Sequence, residues 1–323
     1  MMKNKVLNTI PKTLFSTYCK RAQKLLEENG FEIITYQGES VMTADEIKAV
    51  GADICGAIVG CDQWTEDVIA ACPKLKVLSR FGIGVENIDL EAAKRHGVKV
   101  VNARGMNSDS VAEMTILHVL AVLRNLINLD RTTRKGGWMR YSGRIIRNKT
   151  YGLIGFGAIA RNVAKLLQGF EPARILAFDL YPDMEAAKQL GVTIADLDTV
   201  LERSDIISLH VPCTPQTTGM IDSRAFEKMK NTAVLVNVAR GPVVDEKALY
   251  TALTTGQIAG AGLDVYTVEP TSADNPLFAL DNVVVTPHQA ADTHETFDAV
   301  SYFNAQVIID VMNGKDPVNW LNP

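Results

Sequence analysis

No two cysteines in this sequence stand in a C-x-x-C spacing, and the five present, Cys19, Cys55, Cys61, Cys72 and Cys213, lie mostly in apolar or helical stretches. An odd, unpaired set of this kind excludes a disulfide framework and a cysteine zinc site, and points to reduced thiols in the cytoplasm. A long apolar run is missing too. The most apolar segment, Val111 to Leu129, is interrupted by Glu113, His118, Arg124 and Asn125, so it falls short of the roughly 20 apolar residues a membrane span requires. It reads as a buried helix. The basic start Met-Met-Lys-Asn-Lys leads into an apolar stretch that Asn8 and Pro11 cut off, too soon for the core of a signal peptide. Charge of one sign is also scarce: the formal net charge is -4, spread along the chain, and neither nucleic acid nor an anionic membrane is an expected partner. His96, His118 and His294 sit in helical patterns with no ligand-like spacing among them. They read as solvated or core histidines, and no metal is expected.

What is present is an ordinary soluble composition, 47% hydrophobic and 22% charged over 323 residues. That is longer than the roughly 250 to 300 residues at which a single core stops growing, so two domains follow. Apolar runs of strand length recur every 20 to 30 residues between helical patterns, the signature of βαβ units and parallel sheets. The first series places strands near Val6, at Phe31 to Thr35, Ile54 to Val59, Lys76 to Ser79 and Lys99 to Asn102. Helices such as Tyr18 to Asn29 and Leu90 to His96 lie between them, with Gly30 and Gly97 as C-caps. A second series runs through Tyr151 to Gly155, Arg174 to Asp179, Asp205 to Val211, Ala233 to Val238, Gly260 to Val265 and Asn282 to Thr286, the strand count of a doubly wound dinucleotide domain. One helix is expected from Ser110 to Asp130, a basic, loop-rich stretch from Arg131 to Thr150, and a last helix from Thr293 to Met312. The fold class is therefore α/β with two lobes, each carrying a doubly wound parallel sheet. Residues 1–105 with 292–323 form one lobe and 106–291, inserted into it, the nucleotide lobe. The site is expected in the cleft between them.

The most informative motif is Tyr151-Gly152-Leu153-Ile154-Gly155-Phe156-Gly157-Ala158-Ile159-Ala160, an apolar strand entering G-x-G-x-x-A and then a helix. Gly155 permits the tight turn, and Gly157 lets the backbone approach a pyrophosphate resting on the positive end of the helix. Ala160 is small enough for close helix-to-strand packing. Nineteen residues later Asp179 ends the next strand, where a carboxylate meets adenosine ribose hydroxyls. A 2′-phosphate would face that negative charge, and Leu180, Tyr181, Pro182 and Asp183 bring no cation, so NAD is favoured over NADP.

Three further strand ends carry reactive groups. Val234 to Val238, then Ala239, delivers Arg240, whose planar guanidinium suits a carboxylate; read alone, it could equally be a surface ion-pair residue. The strand Leu263-Asp264-Val265 leads to Glu269, and Val283-Val284-Val285 leads through Thr286 and Pro287 to His288. A contact between Glu269 and His288 would favour the imidazolium, leaving the histidine able to donate a proton near neutral pH. His210 competes for that acid role, although Val211-Pro212 after it suggests a loop lining the nicotinamide site.

Taken together, Arg80-Phe81-Gly82-Ile83-Gly84-Val85-Glu86-Asn87-Ile88-Asp89, Asn107 to Glu113, the Gly155 fingerprint, His210-Val211-Pro212, Asn237 to Gly241, Leu263 to Pro270 and Pro287-His288 resemble the D-isomer-specific 2-hydroxyacid dehydrogenases along nearly the whole chain. The resemblance implies a Rossmann NAD-binding domain inserted into a flavodoxin-like substrate-binding domain. It also implies hydride transfer between NAD(H) and C2 of a small 2-oxo or 2-hydroxy acid, with Arg240, Glu269 and His288 as the catalytic set. Gly155, Gly157, Ala158, Ile159, Asp179, His210, Val211, Pro212, Ala239 and Asp264 would line the cofactor. Arg80, Gly82, Ile83, Gly84 and Arg240 would bind substrate, with the Gly82 to Gly84 loop offering backbone N–H groups to its carboxylate. The helix near 110–130 would serve a homodimer. Departures from the pattern are Ala160 in place of a third glycine, Glu86 in place of an aspartate, and Gln289-Ala290-Ala291 after the histidine; none removes a reactive group. A phosphorylated substrate would want a cluster of cations, yet Gly60-Cys61-Asp62-Gln63-Trp64 offers none and Arg80 stands alone, so a phosphoglycerate dehydrogenase and an enzyme for an unphosphorylated acid are both open. The alternative class is an NAD-sensing, co-repressor-like interaction module without turnover.

Overall fold

In the computed structural model, which describes residues 4–323, the chain divides into two compact units. One combines the N-terminal residues up to Asn107 with Asp292–Pro323, and the other is Ser108–Ala291. In the first, β1 (Asn4–Asn8), β2 (Phe31–Thr35), β3 (Ile54–Val59), β4 (Val77–Arg80) and β5 (Lys99–Asn102) form one sheet in the order β2-β1-β3-β4-β5. Every pairing is parallel, and this is the flavodoxin-like order. The central strand β3, Ile-Cys-Gly-Ala-Ile-Val, is buried at all six positions, as a parallel strand covered on both faces must be. The C-terminal segment belongs to this sheet: the His294–Met312 helix packs on β3 and β4, and Leu321 N–H donates to the Val100 carbonyl.

The second unit holds β6 (Thr150–Ile154), β7 (Arg174–Phe178), β8 (Val192–Ile194), β9 (Ile206–Leu209), β10 (Val234–Asn237), β11 (Gly260–Leu263) and β12 (Val283–Val285). Their order is β12-β11-β10-β9-β6-β7-β8, again all parallel. Counted from β6 this is the doubly wound 3-2-1-4-5-6 arrangement with a seventh strand at the far edge. The edge strand β8 has three residues, too few to leave a periodic signature.

Two helical stretches differ from expectation. Near the start, Lys12–Tyr18 and Lys20–Glu28 are separate helices broken at Cys19, where one from Tyr18 was expected. The long apolar helix also breaks. Ser108–Leu123 ends ahead of Asn125, which is left-handed (φ +52°), and Leu126–Arg134 continues at an angle of 64°. Asparagine is among the few residues that enter this region at low cost, and one such residue ends the helical ladder. The first of these helices buries Val111, Ile116, Val119 and Leu123 in its own unit, each side chain contributing about 1.5–3 kcal/mol. No single helix among the described residues is long and apolar enough to cross a membrane.

Candidate active site

Parallel strands put all their carboxyl ends on one edge of a sheet, and in the second unit that edge collects the polar groups singled out from the sequence. At the end of β6, Gly155 has φ +92°, and a Cβ there would lie 2.7 Å from the His210 carbonyl oxygen; both facts demand glycine. Gly157 is the N-cap of the Ala158–Leu167 helix, and a Cβ on it would meet nothing within 4 Å. Packing within the protein therefore does not require this glycine, whereas an open space before a helix N-terminus fits a pyrophosphate. Ala158 and Ile159 form the first turn, and Ala160 is fully buried against the sheet.

Asp179 directly follows β7. Its two oxygens accept from Phe156 N–H at 2.7 Å and Tyr181 N–H at 2.8 Å, which fixes the carboxylate beside the fingerprint with lone pairs to spare for ribose hydroxyls. A cation does lie nearby, on the helix and not in the strand-end segment: Arg161 pairs with Asp183 at 3.1 Å and donates to the Phe156 carbonyl. It is committed to those partners. His210, just past β9, keeps some residue surface, but its Nδ1 is enclosed without a hydrogen-bond partner, and its Nε2 lies 2.8 Å from Ser208 Oγ. Burial pushes its pKa down to about 3, so the ring is neutral at physiological pH and poorly suited to holding a proton for donation. Val211 and Pro212 continue from it, while Ala239 and Asp264 follow the ends of β10 and β11. His210, Val211, Pro212 and Ala239 keep exposed surface at this edge, whereas Asp264 is fully buried.

At the β10 end, buried Asn237 ties the turn, accepting from Ala239 N–H and donating to the Arg240 carbonyl, both at 3.0 Å. Arg240 Nη1 donates to the Ala239 carbonyl at 2.7 Å. Past β11, Glu269 turns back so that one oxygen accepts from Tyr266 N–H at 2.8 Å. Its other oxygen is 2.6 Å from His288 Nδ1. Burial pushes the Glu269 carboxyl up, but the bonds from His288 and the Tyr266 N–H outweigh it and hold the group below the usual range. His288 moves the other way. The Glu269 hydrogen bond raises its pKa, against burial and the positive charge of Arg240, and the net shift is upward. With Nδ1–H committed to Glu269, Nε2 is the nitrogen left for a substrate. Arg240, Glu269 and His288 thus form one electrostatic group, half-exposed at the sheet edge.

In the other unit, Arg80 closes β4 and reaches back over the following loop. Its guanidinium donates to the carbonyls of Gly84 (3.0 Å), Phe81 (2.6 Å) and Val59 (3.3 Å), while Asn102 donates to the Ile83 carbonyl at 2.7 Å. Gly82 has φ +146°. The loop's carbonyls are thereby held by side chains, and among the described residues no partner takes the Ile83 or Gly84 N–H. Arg80 is a brace of this loop. Behind it, buried Asp62 accepts from Thr9 and from the Trp64 indole, and burial pushes its pKa up.

Residues 116–290 match the family described as D-isomer specific 2-hydroxyacid dehydrogenase, NAD binding domain. A D-3-phosphoglycerate dehydrogenase of Archaeoglobus fulgidus is 45% identical over 258 residues, 79% of this chain and 49% of that protein. A glyoxylate reductase of Korarchaeum cryptofilum is 39% identical over 276 residues, 83% of each. The chain belongs to the D-isomer specific 2-hydroxyacid dehydrogenase family. It spans about half the length of the phosphoglycerate dehydrogenases it matches. Among solved structures, the apo D-lactate dehydrogenase of Escherichia coli superposes with a TM-score of 0.87 at 31% identity, covering 98% of this chain and 99% of that one. The family's cofactor is NAD.

The hydrogen bonds that tie this sheet edge together are not legible in the sequence. Asn237 and Thr286 act through hydrogen bonds to residues distant in the chain or on a turn, and His118 lies in a helix 168 residues from its partner Thr286. Asn237, which opens the Asn237 to Gly241 motif, and Thr286, immediately before Pro287-His288, carry a local signal, and His118 carries none.

Proposed function

We propose that this chain is an NAD-dependent dehydrogenase of small D-2-hydroxy acids, working in the reverse sense as a 2-oxoacid reductase. The observation that carries the reading is the 2.6 Å pairing of His288 Nδ1 with Glu269 on the same sheet edge as the dinucleotide fingerprint. Bound NADH supplies the hydride for C2. His288 holds the proton for the oxygen on C2 at its Nε2, and Glu269 keeps the ring charged and oriented. Arg240 binds the substrate carboxylate and polarises the carbonyl. In the oxidative direction His288 takes the proton back. Within the first unit, the Gly82 to Gly84 loop, shaped by Arg80, is proposed as a carboxylate-binding element, and that unit as the substrate-binding domain.

The engagement of Arg80 bears on the choice of acid. With its donors on three main-chain carbonyls and Asp62 beside it, Arg80 is poorly placed to take a phosphate, which favours an unphosphorylated acid. NADH consumption against glyoxylate, hydroxypyruvate, pyruvate, longer 2-oxo acids and phosphohydroxypyruvate should therefore give the highest kcat/KM on one of the unphosphorylated compounds. Arg240→Ala should lower it by about 10²–10³, the range for losing a preorganised oxyanion donor. Preference for phosphohydroxypyruvate would overturn the choice of acid, and NADH binding without turnover on any of them would point to a sensing module.

Asp179→Ala is expected to weaken NADH about tenfold and to narrow the gap between NADH and NADPH, since it removes both a ribose acceptor and a repulsive charge. An unchanged ratio of the two dissociation constants would remove Asp179 from that role. We also propose a homodimer through the Ser108–Arg134 helices and the segment after them. Leu117, Leu126, Ile127, Trp138, Met139 and Ile145 are large apolar side chains exposed on this one unit, more than single scattered surface residues account for. A cytoplasmic location is supported by five cysteines that are all free.

A further inference from the structure

The Ser108–Leu123 helix carries a histidine to which the proposed chemistry gives no part. His118 is 1% exposed, and its Nε2 lies 2.9 Å from Thr286 Oγ1. Thr286 Oγ1 in turn donates to Asp264 Oδ1 at 2.5 Å. The direction of this chain is fixed by valence. A carboxylate accepts, so the single hydroxyl proton of Thr286 points to Asp264, and the hydroxyl oxygen must accept from the ring. His118 is therefore the Nε2–H tautomer with a bare Nδ1, and that Nδ1 is buried without a partner among the described residues. A second proton there would have no acceptor, which accords with burial lowering the pKa of this ring more than the negative charge of Asp264 raises it.

The far end of the chain is the segment that carries His288. Asp264 is fully buried; besides Thr286 it accepts from Gln289 N–H at 2.9 Å and Ala290 N–H at 2.8 Å, and its own carbonyl accepts from His288 N–H at 2.7 Å. His288 itself is left-handed, with φ +56°, a conformation a histidine keeps only where its neighbours enforce it. Space for the ring comes from β11: a Cβ on Gly262 would stand 2.8 Å from His118 Cβ and 2.9 Å from Nδ1. The imidazole lies directly on the glycine.

We propose that His118, acting through Thr286 and Asp264, is a positioning residue that holds the 286–290 segment and so sets the orientation of His288 toward its substrate. The proposal rests on the reading of His288 as the proton donor, and the two fail separately: turnover that survives His288→Ala would sink that reading whatever happens at His118.

The test combines a double-mutant cycle with imidazole NMR of the protein without substrate. His118→Phe and Thr286→Val should each lower kcat about tenfold with KM and the NADH dissociation constant nearly unchanged, and the double variant should be no worse than the poorer single one, because both cut the same chain. Thr286→Ser, which keeps the hydroxyl, should restore most of the activity. Gly262→Ala, which pushes the ring off its seat, provides a second route if His118→Phe does not fold. In the spectrum, His118 should show the Nε2–H tautomer and stay neutral while His288 titrates. Losses that multiply in the double variant, or a lowered melting temperature with kcat intact, would overturn the proposal, as would an Nδ1–H tautomer at His118.

Discussion

Replacing His288 with alanine will lower kcat for 2-oxo acid reduction by about 10²–10⁴, the usual worth of positioned proton transfer, while NADH binding is retained. The proposed NADH-binding groups at Gly155, Gly157 and Asp179 sit on other strand ends and do not depend on the imidazole. The sign of the accompanying pH effect follows from the Glu269 contact. On the proposed mechanism reduction requires His288 protonated, and Glu269 raises the pKa of that ring. Its rate is therefore level on the acid side and falls as pH rises through the raised pKa, whereas oxidation of the hydroxy acid, which needs the neutral ring, rises through the same value. Glu269→Gln removes the charge but keeps an acceptor. The falling limb for reduction should then move to lower pH, with much of the activity recovered in acid. A limb that stays in place in Glu269→Gln would mean that another group donates the proton.

These residues are legible in the sequence because of where parallel sheets put them. A parallel strand buried on both faces is a short apolar run, and whatever polar residue follows it lands on the ligand edge; Asp179, Arg240 and His288 were all legible for that reason. Both sheets could be counted by the same signal, except for β8, whose three residues fall below it. Less was visible where the determinant is conformational or long-range. The break at Asn125 depends on one left-handed residue inside an apolar run that otherwise continues the helical pattern. Arg80 looked like a substrate cation because sequence shows its charge and not the three carbonyls that occupy it. His118 looked inert because its hydrogen-bond partner is far away in the chain. His210 resembles a rival acid in the sequence, and its burial, with the pKa pushed down to about 3, and its lack of a carboxylate partner such as Glu269 separate it from His288.

Gly241→Ala and Gly157→Ala should fail in opposite ways, although both glycines stand within the motifs on which the family likeness rests. A Cβ at Gly241 would fall on the carbonyl of Tyr266 and 2.5 Å from Thr267 N. Both are backbone, so no side-chain rotation relieves the overlap, and the Arg240 turn must separate from the 266–269 segment. Overpacking of this kind costs typically about 1–3 kcal/mol, occasionally more. It also displaces Arg240 on one side and, on the other, the Tyr266 N–H that anchors Glu269 at 2.8 Å. Gly241→Ala should thus lower the melting temperature and kcat together. At Gly157 nothing within 4 Å opposes a methyl group, and the glycine's φ of -76° suits alanine. Gly157→Ala should melt as the parent does and lose NADH affinity, because the methyl fills space that the pyrophosphate needs. Thermal melting and NADH titration of the two variants separate these cases. A Gly157→Ala protein that binds NADH normally would mean that the cofactor does not approach the helix N-terminus closely, and would take with it the physical reason for placing the dinucleotide there.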